Sequence, residues 1–414
     1  MSKRNENIIT VIDVGSSKTV ALAVEITEQG LRYRGHGVAE SRGSRKGVIV
    51  DLEKAVLAVQ KAVEDAEHTA ELPLESAVVG ISGPHLRALN SQGGISLGAR
   101  AREISREDMR FAVEKARSIP LPEDRQVLHL LPQEFILDEQ SGIRDPYGMM
   151  GRQLEVRVHV VTASTSAVQN VITVLNRAGM EVTDTIYEGL AASDSVMRSD
   201  ERELGAVVVD IGAGSSDMIV VQEGVVTHSA VIPIGGDHFT SDVAVGLRTP
   251  LADAENIKRQ FGHCIYTAVP DGNEIEVPVI GDRPPRMARQ RELADYLEAR
   301  ARELAELMRD NLKAAGLYQP SDLKTLPGGV IVTGGGARLQ GVLETIEETL
   351  RRPTRMGMPL GMAKLPTFLA EPEFSVALGL VFYAHRSRVL KGKEDGSITA
   401  KLKAMFAKSN FGLA

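Results

Sequence analysis

The chain has 414 residues, of which 43% are hydrophobic and 25% are charged, and its formal net charge is −7. Such a composition is ordinary for a globular protein, and this length favours two or more domains. The negative charge argues against a nucleic-acid binder, which needs a basic surface. A single cysteine, Cys264, excludes an internal disulfide framework, and no apolar run reaches the about 20 residues of a membrane-spanning helix. We therefore expect a cytoplasmic protein unless something attaches it to a surface.

Two stretches share one pattern: an apolar strand that ends on an aspartate, a turn of glycine and small hydroxyl residues, and a second apolar strand. The first aspartate is Asp13, before the turn at residues 15–18, and the second is Asp210, before the turn at residues 212–215. Each stretch is typical of a β-hairpin with a glycine turn. Backbone N–H groups of such turns can bind phosphate oxygens, and each aspartate is placed to hold Mg²⁺ through water. Two copies predict a duplicated unit that binds one nucleotide from both sides.

Alternating elements follow the first hairpin. A basic loop at residues 41–47 precedes an amphipathic helix at residues 52–71 and a short strand at residues 76–82. Residues 85–162 then change in character and predict a small α+β insert, whose helix begins with a capping box of Ser105 and Asp108. The insert's predicted elements are the helix at residues 105–118 and strands at residues 127–131, 134–137 and 154–161.

Helical patterns dominate the remainder of the chain. Glu255 and Lys258 lie one turn apart on one helix face within residues 237–316, where they form either a surface ion pair or part of a site. A polar linker at residues 198–202 precedes the second hairpin, the one that contains Asp210. The other predicted elements are helices at residues 166–178, 185–197, 286–315 and 372–383 and a hairpin at residues 271–279.

Three consecutive glycines, Gly334, Gly335 and Gly336, follow a buried strand that ends at Thr333 and precede a helix that runs to Leu350. This turn is neither a Walker A loop nor a G-x-G-x-x-G fingerprint, so the two commonest nucleotide motifs are absent. Glycines before a helix can, however, admit a flat adenosine close to the backbone.

The last residues predict a short amphipathic helix at residues 398–411, behind a polar linker at residues 386–397. Its apolar positions fall on one stripe, and lysines flank the stripe where their ammonium groups can reach lipid headgroups. We expect this segment to be a membrane anchor; packing against its own domain is the alternative. The stripe consists of Ile398, Leu402, Met405 and Phe406, and the flanking lysines are Lys401 and Lys408.

These features occur in the order seen in the actin/Hsp70/sugar-kinase ATPase superfamily. Within it, the chain resembles the FtsA family of bacterial cell-division proteins along essentially its whole length. The insert carries the most specific motifs, and the run at residues 234–258 and the terminal amphipathic helix match as well. The insert motifs are Leu-His-Leu-Leu-Pro-Gln-Glu-Phe at residues 128–135, Gly-Ile-Arg-Asp-Pro-Tyr-Gly at residues 142–148 and Leu-Glu-Val at residues 154–156.

The resemblance implies an α/β, actin/Hsp70-like two-domain ATPase fold with an α+β insert subdomain, called 1C, and a C-terminal amphipathic helix. It also implies boundaries for the other subdomains. They are residues 7–83, 163–197 and 360–385 for 1A, 84–162 for 1C, 203–234 and 317–359 for 2A, and 235–316 for 2B.

The resemblance further implies a function. Such a protein binds ATP with Mg²⁺, is at most a slow ATPase, and forms actin-like filaments with other copies of itself. It lies at the division site on the cytoplasmic face of the inner membrane, bound to lipids through its terminal helix. There it binds the C-terminal peptide of FtsZ and recruits later division proteins through residues 84–162. Arg300, on a basic face with Arg289 and Arg291, is a candidate contact for the acidic parts of that peptide.

Site residues are implied motif by motif. The phosphates would contact Gly15, Ser16, Ser17, Lys18, Gly212, Ala213, Gly214 and Ser215. Asp13 and Asp210 would hold Mg²⁺ through water, and Glu188 lies where the superfamily places a water-orienting side chain. Glu255 and Lys258 would reach the ribose, and Gly334, Gly335, Gly336 and Arg338 would surround the adenosine.

Three other functions are weighed against this one. A sugar kinase would need a polar sugar pocket with a catalytic aspartate, and no segment supplies one. An Hsp70-type chaperone would need a large substrate-binding domain after the ATPase part, and few residues remain here. An actin-like pilus or shell assembly protein should lack the Asp-Pro-Tyr-Gly signature of the insert.

Overall fold

The computed structural model describes residues 7–281, 284–319 and 325–391. The first hairpin begins an antiparallel meander, and a later strand returns parallel to the first one. The elements are β1 (Ile8–Val14), β2 (Lys18–Thr27), β3 (Gly30–Glu40), β4 (Ser44–Arg45), β5 (Val48–Ile49), α1 (Leu52–Ala70) and β6 (Ser76–Ile81).

An α+β insert follows, as predicted. Its elements are β7 (Arg87–Ser96), β8 (Arg102–Glu103), α2 (Arg106–Arg117), β9 (Arg125–Leu137), β10 (Gln140–Ile143), β11 (Met150–Gly151) and β12 (Gln153–Ser164). The sheet has the order β10-β9-β12-β7, and α2 packs against it. The capping box is confirmed: Ser105 Oγ accepts from the Asp108 N–H at 3.2 Å, and Asp108 Oδ2 accepts from the Ser105 N–H at 2.9 Å.

The remaining elements complete the first five-stranded sheet with its helices and form the second half of the protein. The elements are α3 (Thr165–Arg177), β13 (Glu181–Tyr187), α4 (Glu188–Val196), α5 (Ser199–Leu204), β14 (Ala206–Ile211), β15 (Ser216–Gln222), β16 (Val225–Ile232), α6 (Gly236–Leu247), α7 (Leu251–Phe261), β17 (Glu274–Val277), β18 (Arg286–Arg289), α8 (Gln290–Ala314), β19 (Val330–Thr333), α9 (Val342–Leu350), β20 (Thr354–Met356) and α10 (Ser375–Lys391). Short 3₁₀ turns include Gly335–Arg338 and Pro372–Phe374.

The two larger sheets have the same topology. Their strand orders are β3-β2-β1-β6-β13 and β16-β15-β14-β19-β20. In each sheet a three-stranded antiparallel meander is continued by two parallel strands beside its first strand. Helices α1 and α3 cover one face of the first sheet, and α4 and α10 cover the other. This repetition confirms the predicted duplicated unit.

Five predicted elements differ from the structure. Residues 185–187 belong to strand β13 rather than to a helix, since these β-branched and aromatic residues pair in parallel with β6. The strands predicted at residues 127–131 and 134–137 are one strand, β9, in which a bulge at Gln133 follows Pro132, the residue that has no N–H to donate. The hairpin predicted at residues 271–279 is wrong: β17 pairs with β18, and α8 consequently begins at Gln290 rather than at residue 286.

The end of the folded chain also differs from the prediction. Helix α10 continues to Lys391, so residues 386–391 are helical rather than part of a polar linker. Two arginines fix this extension to the first half: Arg386 is ion-paired with Asp194, and Arg388 Nη1 donates to the Ile8 carbonyl at 2.7 Å. The predicted amphipathic helix at residues 398–411 lies outside the described residues.

Candidate functional site

A cavity of about 1350 Å³ lies between the two halves, and both hairpin turns line it. The glycine turn after β19 and side chains of α6 and α7 complete its walls. Arg300 is not part of the lining. The predicted site residues that the cavity brings together are Asp13, Gly15, Ser16, Ser17, Lys18, Glu188, Asp210, Gly212, Ala213, Gly214, Ser215, Glu255, Lys258, Gly334, Gly335, Gly336 and Arg338.

Both hairpin turns present backbone N–H groups without a partner. In the second turn, the Ala213 carbonyl accepts from the Asp237 N–H at 2.8 Å, which fixes the turn against the start of α6. Within the described ranges, the N–H groups of Ser16 and Ser17 in the first turn and of Ala213 and Gly214 in the second donate to no protein acceptor. Because both turns line the cavity, they suit a ligand that carries several anionic oxygens.

Four buried carboxyl groups lie at the cavity, and one lysine accompanies them. Burial raises the pKa of Asp13 to about 6, against the opposing charge of Lys18. Burial, with repulsion from Asp217 and Asp13, raises the pKa of Asp210 to about 8. Burial, followed by repulsion from Asp13, also raises the pKa of Glu188 well above its ordinary value. The cluster therefore favours either protons or a bound cation.

The carboxylates fit a cation held through water. In the part of the chain that the structure describes, no group of three or more His, Cys, Asp or Glu side chains is placed to hold a metal ion. Mg²⁺ keeps several waters and prefers oxygen ligands, so Asp13 and Asp210 suit it as indirect ligands. Gly334 leaves room for this arrangement, since a Cβ there would lie 2.1 Å from Asp210 Oδ1.

Residues of α6 and α7 form part of the cavity wall. Lys258 Nζ lies 2.6 Å from Glu255 Oε2 and donates to the Thr240 hydroxyl at 2.8 Å and to the Gly236 carbonyl at 3.1 Å. Lys258 is only 8% exposed, whereas the Glu255 side chain is 39% exposed, and both residues line the cavity. These contacts hold both side chains at the cavity, which the glycine turn after Thr333 also lines.

Several lining residues were not singled out from the sequence. Ser82 donates to Asp217 Oδ2 at 2.6 Å, which joins the two halves at the cavity. Glu373 lies 3.4 Å from Lys18, although the two residues are far apart in the chain. Arg45 and Lys46 of the basic loop reach the cavity from β4 and its turn. Asp217 could have been predicted, because it follows two serines at the end of the second glycine turn. The local sequence around Ser82, Glu373, Arg45 and Lys46 does not mark these residues as part of a site.

Arg300 lies on α8 and is already paired within the chain. Its guanidinium binds both oxygens of Asp242, at 2.6 and 2.8 Å, and a third nitrogen contacts Glu303. Arg291, on the same predicted basic face, is 3.3 Å from Asp271. Much of the positive charge of this face is therefore compensated, and its contact with a peptide stays a prediction.

The predicted membrane contacts lie outside the described residues. These are Ile398, Lys401, Leu402, Met405, Phe406 and Lys408. Within the described ranges, no helix is both long enough and apolar enough to cross a bilayer.

Comparisons with known proteins agree with the order of these features. The family model described as "Cell division protein FtsA" matches residues 207–379, and "SHS2 domain inserted in FTSA" matches residues 83–162. The chain is 40% identical to the cell division protein FtsA of Pseudomonas aeruginosa over 396 aligned residues. The alignment covers 95% of this chain and 92% of that protein.

Solved structures show the same fold at lower identity. A chain of the PilM-PilN type IV pilus biogenesis complex superposes with a TM-score of 0.66 and 18% identity, covering 90% of this chain and 97% of that one. MreB5 of Spiroplasma citri, bound to ADP, superposes with a TM-score of 0.55 and 15% identity. This superposition covers 95% of this chain and 100% of the MreB5 chain. These likenesses confirm the actin-like ATPase fold, and the family model that matches residues 83–162 confirms the insert. The identity to the relative from Pseudomonas aeruginosa, with the two matching family models, shows that the chain belongs to the FtsA family of cell division proteins.

Proposed function

We propose that the cavity binds ATP with Mg²⁺ and places the phosphates between the two hairpin turns. The proposal rests on the unpaired N–H groups of Ser16, Ser17, Ala213 and Gly214, which come from both halves and line one cavity. Backbone N–H groups in concave turns bind phosphate oxygens. The fold neighbour MreB5 is bound to ADP in its solved structure, which supports the same use of this fold here.

Each group of lining residues has a proposed role. Gly15, Ser16, Ser17, Lys18, Gly212, Ala213, Gly214 and Ser215 contact the phosphates. Glu255 and Lys258 bind the ribose, and Gly334, Gly335, Gly336 and Arg338 surround the adenosine. Asp13 and Asp210 hold Mg²⁺ through water, and the ion supplies positive charge to the phosphates. Glu188 orients a water molecule, in a protein that is at most a slow ATPase.

A Gly335→Val variant tests the placement of the nucleotide. The nearest atom to a Cβ at Gly335 is Glu373 Cβ, at 3.9 Å, so a side chain fits the protein but fills space at the proposed adenosine site. We expect ATP affinity to fall at least a hundredfold, measured by titration with fluorescent ATP. Gly214 is a poorer target, because a Cβ there would lie 2.4 Å from Lys46 Cα and disturb the protein itself.

Gly361→Val is the matched control. No atom lies within 4 Å of a Cβ at Gly361, and this glycine does not line the cavity. The control should bind ATP as the wild type does, and both variants should unfold at the wild-type temperature. Wild-type ATP affinity in Gly335→Val would contradict the proposed placement of the adenosine.

Proton release on binding tests the role of the carboxylates. The pKa of Asp210 is about 8 and that of Asp13 about 6, so at pH 7 Asp210 is mostly protonated before binding. A cation favours the ionised form, so binding of preformed Mg·ATP should release roughly one proton at pH 7. Calorimetry in buffers of different ionisation enthalpy measures this release. It should be smaller at pH 9, where Asp210 is already mostly ionised; equal enthalpies in both buffers at pH 7 would contradict the proposal.

The cellular role follows from family membership and from the terminal residues. We propose that the protein forms ATP-dependent filaments on the cytoplasmic face of the inner membrane and tethers FtsZ filaments at the division site. Residues 398–411 would bind lipid, residues 84–162 would recruit later division proteins, and residues 235–316 would bind the C-terminal peptide of FtsZ. The expected boundaries of subdomains 1A, 1C, 2A and 2B belong to the same proposal. Pelleting with lipid vesicles and FtsZ polymers, with and without ATP, tests it.

A further inference from the structure

The small hairpin β4–β5 reaches the cavity from the first half. Its two-residue turn, Lys46–Gly47, has positive φ at both positions, +52° and +71°. This is the signature of a type I′ turn, in which Asn, Asp or Gly is normally preferred at the first position. A lysine in the left-handed region is uncommon, and residues held there often have a functional role.

Contacts on three sides hold this turn in place. The Gly47 N–H donates to Ser16 Oγ of the first hairpin turn at 2.9 Å, which leaves the Ser16 hydroxyl proton available to a ligand. Gly47 also lies directly against Gly83, since a Cβ on Gly47 would be 2.6 Å from Gly83 Cα. The third contact is to the second half, where Lys46 Cα lies next to Gly214. The turn therefore contacts both phosphate-binding turns, which also come close to each other here, since a Cβ on Gly214 would lie 2.8 Å from Ser16 Oγ.

The turn brings the positive charges of Lys46 and Arg45 to the cavity. Lys46 and Arg45 are both exposed and line the cavity, and neither forms an ion pair with any described residue. Lys46 is close enough to the second half to lower the pKa of His238, after the larger effect of burial. A lysine placed between two turns that offer N–H groups complements an anion bound by both of them.

We propose that Lys46 contacts the terminal phosphate of the bound nucleoside triphosphate and so makes the site prefer a triphosphate over a diphosphate. The inference rests on the proposed function, because it assumes that the phosphates lie between the two hairpin turns. The β4–β5 turn would then be a third element that contacts the phosphates. Lys46 would raise the affinity for a triphosphate more than the affinity for a diphosphate. The contact also gives a reason for a lysine at a turn position that normally takes Asn or Gly.

A Lys46→Asn variant separates charge from turn geometry, since Asn adopts the left-handed conformation readily but carries no charge. We expect ATP affinity to fall about tenfold, because the loss of one hydrogen bond to a charged group lowers affinity by about this factor. ADP affinity should change less than about twofold. Lys61→Asn is the matched control: it removes the same charge from α1, where Lys61 pairs with Asp65 at 2.7 Å. Both affinities of the control should stay at wild-type values.

The measurement is calorimetric titration of the full chain with Mg·ATP and Mg·ADP at two salt concentrations, with thermal unfolding as a check of folding. An equal loss for ATP and ADP, or no loss for either, would overturn the inference while leaving the nucleotide site in place. Failure of the wild type to bind either nucleotide would overturn the proposed function and this inference with it.

Discussion

A Phe406→Asp variant should no longer co-sediment with anionic vesicles, while its ATP affinity stays at the wild-type value. The reason is the apolar stripe predicted for residues 398–411, in which Phe406 is the largest side chain. A carboxylate in the middle of this stripe would have to enter the lipid interface or pull the segment out of it. The readout is the pelleted fraction in the presence of ATP and vesicles.

The energetics predict that this attachment depends on assembly. Burial of four apolar side chains contributes roughly 6–12 kcal/mol at about 1.5–3 kcal/mol each. Ordering a dozen residues costs about as much, at about 1 kcal/mol or more per residue. A single copy should therefore bind weakly, even with about 1 kcal/mol from each lysine on anionic lipid. Many copies on one filament multiply these weak terms, so ATP-dependent polymerisation should control membrane residence.

Phe411→Asp is the matched control for this experiment. Phe411 is in the same terminal segment but lies off the predicted stripe, so the same substitution there should leave most of the protein on the vesicles. If Phe406→Asp pellets as fully as the wild type, the anchor lies elsewhere. If both variants detach equally, net charge rather than the stripe controls binding.

An Asp194→Asn variant should lose about 3 kcal/mol of folding stability. Asp194 on α4 is buried between two arginines: Arg202 Nη2 lies 3.0 Å from its Oδ1, and Arg386 of α10 contacts its Oδ2. Removing the carboxylate leaves two cations close together, and breaking a buried pair typically costs about 3–5 kcal/mol. The lower end applies because the Arg386 side chain stays 31% exposed. Urea denaturation measures the free energy of unfolding.

The same cluster predicts how stability depends on acid. Burial works against ionisation of Asp194, yet the charges of Arg386 and Arg202 hold its pKa below the ordinary value. A carboxyl whose pKa is lower in the folded state stabilises the fold above its unfolded pKa, and this contribution is lost as the pH falls through the folded pKa. The stability difference between wild type and Asp194→Asn should therefore shrink below about pH 4. An unchanged difference at pH 3 would contradict this role.

Asp65→Asn supplies the control for both measurements. Asp65 pairs with Lys61 on the surface of α1, where its side chain is 40% exposed. Exposed pairs contribute about 0–1 kcal/mol, so this variant should unfold almost as the wild type does. A loss as large as that of Asp194→Asn would mean that burial is not the cause of the difference.

The sequence by itself determined the two hairpins, the capped helix of the insert and the glycine turn at residues 334–336. Each is a local signal: an apolar run that stops at an aspartate, a glycine turn, or a capping residue three positions before its partner. Because the two hairpins are copies of one pattern, their repetition also predicted the duplicated architecture. The cavity then gathers the residues that those local patterns marked.

Only the tertiary structure decided which distant segments meet. The last three residues of strand β13 were predicted to begin a helix, because their extended conformation comes from pairing with β6, about a hundred residues earlier. The pairing of β17 with β18, the contact of Lys46 with Gly214 and the binding of Arg386 by Asp194 likewise join residues with no common local signal. Such contacts depend on how the two halves pack and on strand register, and neither is encoded in a short window of sequence.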